Sequence, residues 1–131
     1  MVNSRAKGQR GELQARDLCR TFWYAPECER AGQTNGKVCA DLVRALPSAS
    51  VEVKNVASIG AFKFMEQSMK DARKEELPIV MMRQGKTPLW LLMLEATKLE
   101  QLVARFLRAM YLTKSPEFVD KFVSDALHSV K

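Results

Sequence analysis

Residues 78 to 83, PIVMMR, and residues 88 to 94, PLWLLML, are apolar nearly throughout, and QGKT between them holds the glycine that a hairpin turn requires. A strand with one face in water alternates apolar and polar side chains, and neither of these runs does. Both strands are therefore expected to lie in a sheet covered on both faces. That expectation limits the chain to folds in which other elements supply the cover, and helical periodicity on either side of the hairpin places it in the α/β class.

The helices are legible from spacing. From Gly11 to Trp23 the residues Ala15, Leu18, Cys19 and Phe22 keep the i, i+3, i+4, i+7 pattern, and Glu12, three residues before Ala15, borders that stripe. A second helix is predicted from about Ser58, a capable cap, to Glu75, with Phe62, Met65, Met69 and Ala72 inward and Lys63, Gln67, Lys70 and Lys74 outward. Leu99, Leu102, Val103, Phe106 and Met110 mark a third. Ser115 followed by Pro116 opens a fourth, whose broad apolar stripe runs through Val119, Phe122, Val123, Ala126, Leu127 and Val130. Between the first two helices, residues 24 to 37 read as a loop with room for a short strand around Cys28. VCADLV (38–43) and SVEVKN (50–55) then read as a hairpin turning through Pro47 and Ser48.

Composition narrows the function classes. At 131 residues, 47% hydrophobic and 27% charged, the chain is expected to form one domain with its own core. The longest apolar run is too short for a bilayer span, and the N-terminus lacks the apolar segment of a secretory signal, so a cytoplasmic location without membrane contact is expected. Cys19, Cys28 and Cys39 fit neither a zinc knuckle nor a disulfide framework and read as reduced thiols, mostly core filler. His128 has no second histidine with which to share a metal or a catalytic proton and receives no role. A net charge of +6 favours polyanionic partners. Arg5, Lys7 and Arg10 all precede the first acidic residue, Glu12, beside Gly8 and Gly11; this patch suits either a phosphate backbone or an ordinary solubilising terminus.

The chemistry concentrates in SVEVKN. Glu52 and Lys54 share one face of the strand, which on its own fits a solvated outer face, but Asp41 sits in the strand expected to pair with theirs. Two carboxylates on adjacent strands can share a divalent cation such as Mg²⁺, which prefers oxygen ligands and keeps several waters. A lysine beside them can act on a water or on charge building at a phosphate. Asp41, followed after ten residues by Glu52-Val53-Lys54, resembles the signature of the PD-(D/E)XK nuclease superfamily. Within it the chain is most similar to small, phage-type Holliday junction resolvases, by "RGE" at 10 to 12, Asp41, "EVK" at 52 to 54 and Gln67 in FMEQSMKDA, a likeness covering about residues 5 to 95.

The resemblance implies a restriction-endonuclease-like αβββαβ core with a mixed central sheet and extra C-terminal helices, about 96–131. It implies a Mg²⁺-dependent endodeoxyribonuclease, with Mn²⁺ as a substitute, cutting four-way junctions or other branched DNA. Asp41, Glu52 and the Val53 backbone carbonyl would hold the metal, Lys54 would act on the attacking water, Glu12 would reach a second metal or Lys54, and Gln67 would orient the lysine or contact phosphate. Arg5, Lys7, Arg10, Thr34, Lys37 and Lys63 are the candidate DNA contacts. Cutting two opposed strands needs two sites, hence a homodimer, and the C-terminal helices either form its interface or cap the sheet within a monomer. The pattern departs from the family at Ala40, where a proline is expected, and in Gln33-Thr34-Asn35, where cellular resolvases often carry a serine. The alternatives are a flap, nicked or single-stranded substrate, or a non-catalytic nucleic-acid-binding module on the same fold.

Overall fold

The computed structural model describes residues 3–32 and 40–130. The expectations that fall on Thr34, Lys37 and Cys39, and on the first residues of the strand predicted from 38, lie outside them.

Helix α1 (Ser4–Phe22) begins well before its apolar stripe, because the Asn3 side chain accepts from the backbone N–H of Arg5 and of Ala6 at 3.1 and 3.3 Å. Gly8, ahead of the predicted start at Gly11, is therefore helical as well. Gly11 has a packing reason: a Cβ there would lie 2.6 Å from Cβ of Asn55, so only glycine lets the helix approach the sheet at this level. After the helix, Tyr24 takes φ 53°, a left-handed value usually left to glycine. Its ring explains the exception, standing edge-on to Phe106, Phe118 and Phe122 at centroid distances of 5.5, 6.0 and 6.5 Å.

Strands β1 (Glu29–Arg30), β2 (Leu42–Val43), β3 (Ala49–Val56), β4 (Leu77–Gln84) and β5 (Leu91–Met93) form one five-stranded sheet in sequence order. β1, β2 and β3 are antiparallel neighbours, β4 joins β3 in parallel, and β5 returns antiparallel to β4. The parallel step is made by α2 (Ala61–Asp71), since a parallel pair needs a crossover. Among the described residues the fold is thus mixed α/β, with a mixed sheet and four α-helices. The loop before the predicted hairpin contributes a third strand, β1, directly after Cys28.

Alternation along β3 sorts its side chains. Val51 and Val53 meet Ala15 and Cys19 of α1, with Ile79 and Met81 of β4, in the main core. Cys19 and Cys28 are fully buried free thiols, as filler should be, and contact with Cys28, followed by burial, pushes the Cys19 thiol up. Ser50, Glu52 and Lys54 point to the other face, which α2 covers. Glu52 is only 6% exposed, so the solvated-face reading of SVEVKN is overturned.

Helix α2 departs from its prediction. It starts at Ala61 with Gly60 as its N-cap and no side-chain cap, not at Ser58, and stops at Asp71, not Glu75. Phe62, expected inward, is 89% exposed, and Met69 is exposed too, while Phe64, Met65 and Ser68 turn toward the sheet. In this orientation Lys54 beneath the helix takes Gln67 and the ring of Phe64 as partners, and part of the apolar stripe lies in solvent. β5 is also shorter than its apolar run, with Leu91 and Leu92 exposed, so its cover is incomplete.

A 3₁₀ turn (Ala96–Lys98) leads to α3 (Leu99–Thr113) and then α4 (Pro116–Ser129), which Ser115 caps as predicted through Phe118 N–H at 3.2 Å. Arg105 fixes α3 to the core by donating to the carbonyls of Ser48 and Glu75 at 2.9 and 3.2 Å. α4 buries little: Phe118, Val123, Leu127 and Val130 all remain exposed. Among the described residues no helix is long and apolar enough to cross a membrane.

Candidate active site

Asp41 directly precedes β2, yet its backbone N–H still donates to the Val51 carbonyl at 3.0 Å, so the ladder to β3 fixes its Cα. One carboxylate oxygen, Oδ2, accepts from Val53 N–H at 2.8 Å. The carboxyl group consequently lies across the Glu52-Val53 peptide, on the edge of β3. Glu52 and Lys54 project from the same strand, two residues apart on one face, with Lys54 Nζ 3.3 Å from Glu52 Oε1. Gln67 on α2 accepts from Lys54 Nζ at 3.0 Å, and the Phe64 ring lies 5.3 Å from the same ammonium. The lysine is thereby held by two elements and is only 19% exposed. Gln67 stays exposed, as expected of its helix face, and still reaches Lys54, beside Phe64 of the same helix.

The electrostatics of this corner are out of balance. Burial first, then the negative charge of Glu52 and, more weakly, of Glu12, pushes the Asp41 carboxyl up to about 7, against the lowering effect of the Val53 hydrogen bond and of Lys54. One ammonium does not neutralise the carboxylates around it. A divalent cation would, and the donors available are hard oxygens, which suit Mg²⁺ or Mn²⁺. Among the described residues no three His, Cys, Asp or Glu side chains converge on a single metal position. The hard-oxygen donors of this corner are the Asp41 and Glu52 carboxylates, and Mg²⁺ is an ion that keeps much of its coordination shell as water.

Glu12 reaches this corner from α1, but its direct partner is Arg30 of β1, whose Nε donates to Oε2 at 2.6 Å. The sequence reading gave Glu12 to a second metal or to Lys54 and missed Arg30 altogether. The pair belongs to a ladder: Glu12, Arg16 and Arg20 are spaced one helical turn apart, and Arg16 and Arg20 both meet Glu29. Arg20 also donates to the Cys28 carbonyl at 2.9 Å. A two-residue strand carrying opposite charges, facing a helix with the complementary order, was the available signal for Arg30.

The remaining candidates are dispersed. Lys7 and Arg10 lie on the first turns of α1 and Lys63 on the first turn of α2; none of the three takes part in the Asp41 cluster. Arg5 is exposed at the start of α1.

No protein-family model, characterised protein or solved structure matches this chain.

Proposed function

We propose that the chain is a metal-dependent endodeoxyribonuclease on a restriction-endonuclease-like αβββαβ core, acting on branched DNA with the four-way junction as its substrate. The observation that carries this reading is the placement of Asp41 across the Glu52-Val53 peptide with Lys54 anchored beside it. Asp41, Glu52 and the Val53 carbonyl would hold Mg²⁺, with Mn²⁺ as a substitute, and the ion would supply a water of lowered pKa and a Lewis acid for the phosphate. Lys54, steered by Gln67, presents its ammonium to the attacking water and to charge developing on a phosphate oxygen. Glu12, held by Arg30, adds negative potential behind Asp41. The basic side chains Arg5, Lys7 and Arg10 of α1 and Lys63 of α2, outside the Asp41 cluster, would follow the phosphate backbone away from the scissile bond.

Two cuts across a junction need two such sites, so the working species would be a homodimer. An apolar groove of about 730 Å³ between α3 and α4, lined by Leu102, Val103, Phe106, Phe122, Val123 and Leu127, supports that arrangement.

The test is cleavage of a four-way junction, a flap and a linear duplex side by side, with Mg²⁺, Mn²⁺ or chelator. Metal-dependent, symmetric nicks across the branch point are expected, and Asp41→Ala or Glu52→Ala should abolish them while DNA binding survives. Cleavage of flaps or single strands alone would move the substrate, and DNA binding without a product would make the chain a binding module. A fully active Asp41→Ala variant would end the site assignment.

A further inference from the structure

Arg83 is the next-to-last residue of β4 and lies directly opposite Asn55 in the parallel register, one step beyond the Lys54–Met82 pair. Residues opposite each other in a parallel pair share a face, so Arg83 and Asn55 emerge on the α1 side of the sheet, at the strand ends nearest Lys54. The guanidinium is held on two sides. Its Nε and Nη2 both donate to Oδ1 of Asn55 at 3.3 Å, and its plane lies over the Trp90 ring at 5.1 Å. Asn55 is fixed in turn, because its Nδ2 donates to the Lys7 carbonyl at 3.1 Å and its Cβ packs against Gly11.

What this assembly lacks is an anion. Among the described residues no carboxylate lies within ion-pair distance of Arg83, although Arg16, Arg20 and Arg30 all have one. A half-buried guanidinium held by an amide oxygen and an indole keeps its full positive charge and has N–H groups left to give. The charge has basic company: Asn55, which holds Arg83, also binds the backbone of Lys7 on α1, whose first turn carries no acidic residue, and Lys86 follows in the β4–β5 turn. An oriented planar fork with free donors, aromatic support and basic neighbours matches a tetrahedral phosphate better than it matches water.

We infer that Arg83 is a phosphate-binding residue, preset by Asn55 and Trp90, which grips a DNA backbone phosphate on the α1 side of the strand ends while the cleavage site works on the α2 side. The inference rests on the nuclease reading and adds to it a substrate contact on the opposite face. Asn55 and Trp90 act through Arg83 and are positioning residues. A branched substrate suits this layout, because one arm can lie against each side of the sheet's end.

The experiment is equilibrium binding of a fluorescent four-way junction in chelator, over a range of KCl concentrations, for the wild type, Arg83→Gln and Arg83→Lys. Each phosphate contact contributes close to one unit to the slope of log K against log salt, so Arg83→Gln should lower that slope by about 1 and weaken binding roughly tenfold. Arg83→Lys should keep the slope and lose part of the affinity, since the charge stays and the fork goes. The Trp23→Phe protein retains Trp90 as its one tryptophan, and its emission should change on DNA binding in the wild-type Arg83 background but not with Arg83→Gln. Thermal melting verifies that each variant is folded; if Arg83→Gln unfolds, Arg83→Lys and the tryptophan signal decide. An unchanged salt slope in folded Arg83→Gln, or an unresponsive Trp90 beside intact Arg83, overturns this inference alone. A wild-type protein that neither binds nor cuts any DNA overturns the nuclease reading together with it.

Discussion

Replacing Asp41 by asparagine should stabilise the metal-free protein at neutral pH while removing its affinity for the metal. The folded carboxyl titrates near 7, above the ordinary 3.8, so between those values the folded state keeps a proton that the unfolded chain has lost. Stability contributed by this group therefore falls as pH rises from about 4 to about 7 and is fully lost above that. At 1.36 kcal/mol per pH unit, the part of the window between pH 5 and pH 7 amounts to roughly 3 kcal/mol, and water at the incompletely buried carboxyl trims this to about 2. Asparagine carries no titrating proton, and its side-chain oxygen can still accept from Val53 N–H. The assay is urea unfolding of both proteins in chelator at pH 5 and pH 8. The wild type should lose about 2 kcal/mol more than Asp41→Asn across that interval. Adding Mg²⁺ at a hundredfold excess over its Kd should return about 2.7 kcal/mol to the wild type and nothing to the variant. Parallel pH dependences for the two proteins would show that no strained carboxyl exists at this position, and the argument for a metal would lose its electrostatic basis.

Metal affinity of the wild type should rise with pH up to about 7 and level off above, with proton release on binding measurable by calorimetry in buffers of different ionisation enthalpy. Lys54→Met leaves Glu52, 6% exposed, without its cation and Gln67 without its donor; cleavage should fall by roughly 10²- to 10⁴-fold, and a variant cutting at the wild-type rate would remove Lys54 from the chemistry. Gly11→Ala forces α1 away from Asn55 and should lower stability by about 1–3 kcal/mol in urea titrations, with no loss if the helix can slide freely. Val103→Glu places a charge in the α3–α4 groove at a residue 48% exposed, so the subunit's own stability should shift by less than about 0.5 kcal/mol while any dimer seen by light scattering dissociates; a wild type that is monomeric at micromolar concentration would remove the groove as an interface.

Periodicity and punctuation in the chain determined the element types and their order. The unbroken apolar run in β4 announced a doubly covered strand, Ser115-Pro116 announced the start of α4, and Glu52 and Lys54 could be placed on one face because side chains alternate along a strand, whereas Asp41 was singled out by its order in the motif. What needed the tertiary structure was every feature that depends on a partner distant in the chain. Gly11 is explained only by Asn55 of β3 beneath it. Phe62 faces water while Phe64 and Gln67, on another side of α2, meet Lys54 of β3, a docking that helical spacing alone does not specify. Arg30 joins Glu12, and Arg83 has no carboxylate partner among the described residues, because strand register decides which charges meet. Local sequence encodes backbone preference and side-chain parity; which ion pairs form, and which charge is left unneutralised, follows only when strands and helices far apart in the chain are brought within a few ångströms.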